Sequence, residues 1–232
     1  MYKNQKISAV INCAGCSIRF GRNKLTTKIN GQYTIVKSIR NFLIDEIDEV
    51  IITVSKQYWQ EYQDILLKEE KFPVRLVLGD SERYLSALNG VKAAAGDIVI
   101  LHDGVRPFVS KAMILDLLKA TALHGAAMLA VPATTTIKVI DKQQFIKKSL
   151  LRGESWLAQT PQAFDKKLIQ RAYKKAIASG YHIVSDDSEV VSSFTSKKVA
   201  VVMGDESNIK ITFPLDLEVA QVIDKNWQVG KK

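Results

Sequence analysis

The sequence is poor in the residue types that build metal sites and membrane spans. It has only two cysteines and three histidines in 232 residues, and the histidines lie far apart, which argues against a zinc site. No apolar run approaches the roughly 20 residues that a transmembrane helix needs, and no long apolar stretch follows the first residues as in a secretory signal. We therefore expect a cytoplasmic protein with no membrane partner.

Acidic residues are scarce relative to basic ones. There are 33 lysines and arginines against 24 aspartates and glutamates, a formal net charge of +9. Such an excess is typical of proteins that meet nucleic acids, anionic membranes or phosphorylated small molecules. The lysines are scattered and are not interleaved with aromatic residues, so we expect a solvated basic surface and no nucleic-acid partner. Nucleic-acid binding is kept as a remote alternative.

Apolar β-branched runs alternate with helix-like segments along the chain. Strands are predicted at residues 7–11, 50–54, 74–78, 98–101, 126–131 and 199–202, and helices at 34–43, 57–68, 84–95, 111–123, 166–179 and 187–194. This alternation predicts an α/β fold with a Rossmann-like, mostly parallel sheet and helices on both faces. With no linker or repeat visible, we expect one domain over residues 1–232, with ligands beyond the carboxyl ends of the strands.

Residues 134–156 break this alternation. Two short β-like pieces, 136–140 and 145–151, flank the polar residues 141–144 and predict a β-hairpin arm. Because an isolated hairpin is marginally stable in water, the arm should pack on another surface, such as a second subunit.

The loop at residues 12–24 follows the first predicted strand and combines small residues, two glycines and three cations. Backbone N–H groups and positive side chains gathered in this way can cradle a polyphosphate, although the spacing matches neither a Walker loop nor a dinucleotide turn. A flexible glycine-containing loop is the alternative. Cys13 and Cys16 form a C-x-x-C pair, which is either a redox dithiol or two small side chains lining the loop.

Three later loops carry side chains that suit nucleotide chemistry. Asp103 follows a buried strand and is a hard oxygen ligand suited to Mg²⁺. Arg106 can bind phosphate through two N–H groups, with a local salt bridge to Asp103 as the alternative. The segment at residues 79–86, which includes Ser81 and Ser86, could supply hydrogen bonds to a base, or Ser81 and Glu82 could simply begin a helix. Lys210 lies in an apolar alternating context, which is unusual for a solvated lysine.

Taken together and in chain order, these loops resemble the sugar-alcohol phosphate cytidylyltransferases, and most closely the 2-C-methyl-D-erythritol 4-phosphate cytidylyltransferase family. The resemblance covers nearly the whole chain. Its motifs are Ala14-Gly15 with Arg19-Phe20 and Lys24, His102-Asp103 with Arg106-Pro107-Phe108, residues 134–138, Arg152 with Trp156 and residues 159–164, and residues 208–212 with Pro214, Asp216 and Leu217.

The resemblance implies Mg²⁺-dependent transfer of CMP from CTP to 2-C-methyl-D-erythritol 4-phosphate, a polyol phosphate, by a homodimer joined through the arm. It implies catalytic roles for Arg19, Lys24 and Lys210, nucleotide contacts for Ala14, Gly15, Ser81 and Ser86, substrate contacts for Arg106 and, across the dimer, for Thr136 and Arg152, and a metal ligand in Asp103. A ribitol-5-phosphate cytidylyltransferase and a dithiol oxidoreductase are the alternatives.

Several positions depart from the family pattern, and three of them lie in the predicted base pocket. Asn12, Cys13 and Asp80 stand where the family usually has proline, alanine and glycine. These changes touch the predicted base pocket, so the resemblance speaks more strongly for the phosphate chemistry than for the choice of CTP.

Overall fold

The computed structural model describes residues 4–15, 20–21, 23–68, 73–181 and 186–229, so Cys16 and the predicted catalytic Arg19 lie outside the described residues. The described strands are β1 (Ile7–Asn12), β2 (Lys28–Ile29), β3 (Gln32–Tyr33), β4 (Glu49–Val54), β5 (Val74–Leu78), β6 (Ile98–Asp103), β7 (Ala126–Pro132), β8 (Lys138–Ile140), β9 (Ile146–Ser149), β10 (Trp156–Asp165) and β11 (Ala200–Met203). The described helices are α1 (Thr34–Arg40), α2 (Trp59–Lys68), α3 (Arg83–Ala93), α4 (Lys111–His124), α5 (Lys166–Ala178), α6 (Asp187–Phe194) and α7 (Pro214–Val229).

Seven strands form the central sheet, in the order β11-β7-β10-β6-β1-β4-β5. All neighbouring pairs are parallel except those that β10 makes with β6 and β7. The predicted mostly parallel α/β sheet is therefore confirmed. Its six parallel strands present their carboxyl ends at one edge, where ligands of such sheets bind.

The two faces of the sheet bury different helices because side chains alternate along each strand. In β6, Ile98 and Ile100 pack with α1, α2, α4 and α7, whereas Val99 and Leu101 pack with α3, α5 and α6. Strands that are buried on both faces read as continuous apolar runs, as β6 does. Helices therefore cover both faces, as predicted.

Two central elements were not predicted from the sequence. Strand β10 contains Pro161, a residue that normally argues against a central strand because it cannot donate to the ladder. Helix α7 begins at Pro214, a position that suits proline because the first helical N–H needs no partner. Asp224, which is 1% exposed, joins α7 to α1 through Lys37, with 2.5 Å between Oδ1 and Nζ.

The predicted arm is an antiparallel hairpin. Strands β8 and β9 pair with each other in a two-stranded sheet of their own, and the main-chain N–H of Ala133 donates to the carbonyl of Ser155 where the arm leaves the central sheet. Phe145 and Ile146 are 71% and 65% exposed. Within the described residues, no helix is both long enough and apolar enough to cross a membrane.

Candidate active site

A cleft of about 470 Å³ opens at the carboxyl edge of the sheet. The loops after β1, β5 and β6 and the segment after β11 form its walls. Its lining residues are Asn12, Ala14, Gly15, Phe20, Lys24, Leu25, Asp80, Ser81, Glu82, Arg83, Ser86, Asp103, Val105, Lys210 and Thr212. All four predicted nucleotide-binding residues are among them, together with Lys24, Asp103 and Lys210. The topology thus gathers these residues from distant parts of the chain.

Asp103 is the last residue of β6 and the charged centre of the cleft. Its Oδ1 accepts from Arg83 Nε at 3.0 Å and its Oδ2 from Lys210 Nζ at 2.8 Å. Burial alone would raise the pKa of Asp103, but the positive charges of Arg83, Lys210 and Arg106 outweigh burial and hold the pKa well below its usual range. The carboxylate is therefore ionised at neutral pH.

Lys210 reaches Asp103 because buried polar contacts hold the segment after β11. Asn208 is fully buried, and its Nδ2 donates to Gln159 Oε1 at 3.1 Å and to the Thr160 carbonyl at 2.9 Å. The Ile211 N–H donates to the Val105 carbonyl at 3.0 Å. These bonds fix the backbone on both sides of Lys210 and leave its side chain 37% exposed at the cleft.

Lys24 lies in a short 3₁₀ turn, Lys24–Thr26, on another wall of the cleft. Asn23 caps this turn, since its Oδ1 accepts from the Leu25 N–H at 3.2 Å. The same oxygen accepts from the hydroxyl of Tyr62 at 3.1 Å, and Leu25 is buried. The turn is thus tied to α2 on one side and to the core on the other.

The predicted base-binding wall combines the loops that follow β1 and β5. A side chain at Gly79 would place its Cβ 2.3 Å from the Cβ of Ala14, so glycine allows the two loops to meet. Ser86 Oγ accepts from the Asp80 N–H at 2.8 Å and donates to the Asp80 carbonyl at 3.2 Å. Ser86 therefore shapes the loop at residues 79–82 as well as lining the cleft.

His102 supports Asp103 from behind. The Asp103 N–H donates to Thr160 Oγ1 at 3.0 Å, which leaves the Thr160 hydroxyl to donate to His102 Nδ1 at 3.1 Å. His102 Nε2 lies 3.0 Å from the Arg106 carbonyl, which can only accept, so Nε2 carries the proton. Burial lowers the pKa of His102 to about 4, so the ring is neutral and structural.

Arg106 lies beside the cleft rather than among its lining residues. Its Nη1 donates to the Asn208 carbonyl at 2.7 Å, and its Nε is 4.0 Å from Asp103 Oδ2. The side chain is only 12% exposed. The structure thus shows a local ion pair and a tie to the segment of Lys210, and the substrate contact stays a prediction.

Sequence reasoning missed Arg83, which is the first residue of α3 and lines the cleft. Its guanidinium bridges Asp103 and Asp187, a residue 104 positions further along the chain. No local spacing could reveal that pairing. The one available signal was a cation directly after a loop at the carboxyl edge of the sheet.

The other predicted residues are divided between the arm and the first loop. Thr136 and Arg152 are exposed on the arm and are not among the lining residues of the cleft of their own chain. Cys13 is 1% exposed, and burial raises the pKa of its thiol. A thiol held protonated is a poor nucleophile, which argues against Cys13 as a redox residue.

A family model described as "IspD: 2-C-methyl-D-erythritol 4-phosphate cytidylyltransferase" matches residues 7–226. The chain belongs to this family. The family is the one that the sequence motifs resemble, so that prediction is confirmed, and membership favours the main functional prediction over the ribitol-phosphate, dithiol and nucleic-acid alternatives.

Individual relatives agree with the family model. A protein of Caldanaerobacter subterraneus subsp. tengcongensis named 2-C-methyl-D-erythritol 4-phosphate cytidylyltransferase is 40% identical over 225 residues, which cover 93% of this chain and 97% of the relative. One of Bacillus pumilus with the same name is 35% identical over 213 residues, covering 90% of this chain and 92% of the relative. The crystal structure of 4-diphosphocytidyl-2C-methyl-D-erythritol synthase from Anaerococcus prevotii superposes with a TM-score of 0.84 at 34% identity, covering 95% of this chain and 99% of the other.

Proposed function

We propose that this chain transfers CMP from CTP to 2-C-methyl-D-erythritol 4-phosphate and releases pyrophosphate. The single observation that carries the proposal is the meeting of Lys24, Asp103 and Lys210 in one cleft. An oxygen of the substrate phosphate forms a bond to the α-phosphorus of CTP, and the bond from that phosphorus to the oxygen bridging to the β-phosphate breaks. The electron pair of that bond leaves with pyrophosphate.

This chemistry suits the cleft because it needs positioning and charge neutralisation more than a strong base. A phosphate monoester is already anionic and can attack without losing a proton to the protein. Two anions must approach each other, so fixed cations that face the reacting phosphates lower the barrier. Lys24 and Lys210 lie on different walls of the cleft, as such a role requires.

Mg²⁺ belongs to the proposal, with Asp103 as its protein ligand. The residues fit the ion, since an ionised carboxylate faces the cleft, and Mg²⁺ commonly binds one or two carboxylates together with substrate phosphates and water. Among the described residues, no three acidic, histidine or cysteine groups are clustered closely enough to hold a metal without such help. When bound, the ion would neutralise charge on the phosphates of CTP.

A homodimer is also part of the proposal. The exposed apolar side chains of the arm, Phe145 and Ile146 among them, would be covered by a second copy of the chain. Thr136 and Arg152 would then reach the polyol phosphate in the cleft of that copy. The cytoplasmic location expected from the sequence stays a prediction.

Pyrophosphate release tests the function directly. The purified protein is incubated with Mg²⁺, one of the four nucleoside triphosphates, and either 2-C-methyl-D-erythritol 4-phosphate or ribitol 5-phosphate. We expect release with CTP and the erythritol substrate at a rate well above every other combination. A preference for ribitol 5-phosphate, or for a triphosphate other than CTP, would contradict the proposal.

A further inference from the structure

A buried carboxylate lies behind the cleft. Asp187, the first residue of α6, is fully buried. Its Oδ1 accepts from Arg83 Nη1 at 3.1 Å and its Oδ2 from Arg83 Nη2 at 2.9 Å, while the hydroxyl of Tyr173 donates to Oδ1 at 2.5 Å. A two-point pair of this kind fixes the plane of the guanidinium as well as its position.

The third nitrogen of that guanidinium reaches into the cleft. Arg83 Nε donates to Asp103 Oδ1 at 3.0 Å. Because Asp187 holds the other two nitrogens, the direction of this Nε–H bond is fixed, and so is the oxygen that accepts it. Asp187 is thereby linked to the predicted metal ligand through one rigid planar group.

The two oxygens of Asp103 therefore have partners of different kinds. Arg83 on Oδ1 is anchored behind the cleft, whereas Lys210 on Oδ2 is a single charge on a flexible side chain that is 37% exposed. Lys210 can turn toward a phosphate when a nucleotide enters, while Arg83 stays in place. Arg106 Nε also lies near Oδ2, but at 4.0 Å it is beyond hydrogen-bond distance. Oδ1 is therefore held by a fixed partner, whereas Oδ2 can lose its hydrogen bond to Lys210.

From this arrangement we infer that Asp187 and Arg83 are positioning residues, which hold Asp103 so that Oδ2 alone is offered to the divalent cation that accompanies the nucleotide. The inference rests on the proposed function. Loss of the charge of Asp187 would free the guanidinium fork of Arg83 to pair with both oxygens of Asp103, and a cation would then have to compete with it.

The test measures CTP binding by calorimetry, with and without Mg²⁺ and without a polyol phosphate, so that no turnover occurs. In the wild type, we expect Mg²⁺ to strengthen CTP binding. In Asp187→Asn, we expect this strengthening to fall by about tenfold or more, as is usual when a residue that orients a metal ligand is lost. Binding of CTP without Mg²⁺ should change much less than this, because the cations that face the phosphates remain.

The matched control is Asp186→Ala. Asp186 caps the same helix, since its Oδ1 accepts from the Glu189 N–H at 2.9 Å. Asp186→Ala should lower the melting temperature yet keep the Mg²⁺-dependent gain. If Asp187→Asn does not fold, Tyr173→Phe replaces it, because it removes one hydrogen bond to the carboxylate and should reduce the gain in the same direction by a smaller factor.

The outcomes separate this inference from the proposed function. Equal losses of CTP binding with and without Mg²⁺ in Asp187→Asn, or an unchanged gain in the variant that folds, would overturn the positioning role while wild-type turnover still supported the function. A wild type that neither binds CTP with Mg²⁺ nor releases pyrophosphate would overturn the proposed function, and the inference with it.

Discussion

The cleft and the arm carry the two halves of the predicted substrate site, and they are stabilised in different ways. At the cleft, side chains from β6, α3 and the segment after β11 form ion pairs within one chain, with Asp103 6% exposed at their centre. On the arm, β8 and β9 pair with each other and leave Phe145 and Ile146 largely exposed. The cleft is thus preorganised before a ligand arrives, whereas only the proposed dimer would complete the surroundings of the arm.

Removal of a positively charged side chain from the cleft should have the largest effect on turnover. Lys210→Ala should lower kcat by about a hundredfold, because a charge aimed at the reacting phosphates would be lost. Lys24→Ala should act in the same direction. Initial rates of pyrophosphate release measure both variants. As a control, Lys119→Ala removes a surface lysine of α4 that pairs with Asp116 and should leave kcat within about twofold. Normal turnover by Lys210→Ala would remove this residue from the mechanism.

Acid should destabilise the folded protein because His102, behind the cleft, is buried as a neutral ring. The unfolded chain protonates this histidine with a pKa near 6.5, whereas burial in the native state lowers its pKa to about 4. Between these values the unfolded state binds more protons, so the free energy of unfolding falls as the pH falls, by roughly 2 kcal/mol between pH 7.5 and pH 5. Urea denaturation at both pH values measures this change.

His102→Gln provides the comparison for that measurement, because glutamine does not titrate in this range. Its free energy of unfolding should fall less steeply over the same pH interval than that of the wild type. Equal slopes in the two proteins would show that other groups account for the acid sensitivity.

A change on the arm should affect the substrate of the neighbouring subunit. Arg152→Ala should raise the KM for the polyol phosphate about tenfold, the loss expected for a hydrogen bond to a charged group, with little change in the KM for CTP. Lys147→Ala, on the same arm, is the matched control and should leave both constants unchanged.

Mixed dimers sharpen this test. The assay keeps the polyol phosphate well below its wild-type KM, so that Arg152→Ala alone has only about a tenth of the wild-type activity. In a dimer of Arg152→Ala with Lys210→Ala, one of the two sites has both residues intact if the arm crosses to the partner, so mixing should raise the activity to about a quarter of the wild-type value. No recovery in a mixture that is shown to exchange subunits would place Arg152 at its own cleft, or at neither.

A substitution at the tip of the arm should have the smallest effect on the free energy of unfolding. Phe145→Ser should weaken the dimer, measured by light scattering at several protein concentrations. It should change the free energy of unfolding of the monomer by less than about 0.5 kcal/mol, because the side chain is 71% exposed. A stability loss comparable to that of a core substitution would mean that the arm packs on its own chain.

The sequence predicted the parallel strands, six helices and the hairpin because their residue patterns are local. Strand β10 was missed because Pro161 and its neighbouring glutamines are not typical of a central strand. Its residues form a strand because they pair in antiparallel direction with both β6 and β7, and this pairing is visible only in the structure. The polar residues at the strand ends identified Asp103 and the walls of the cleft. Arg83 and Asp187 stayed hidden, since a pairing across 104 residues leaves no periodic trace.

The arm continues directly into β10 of the central sheet, and this connection affects which changes in the arm the enzyme can tolerate during evolution. Strand β10 is fixed in register against β6 and β7, and the bond from Ala133 to Ser155 closes the base of the hairpin. Insertions or deletions near its tip, at residues 141–145, would therefore lengthen or shorten the hairpin without displacing Asp103, whose N–H donates to Thr160. The preference for the acceptor substrate could thus change during evolution while the residues that act on the phosphates stay in place.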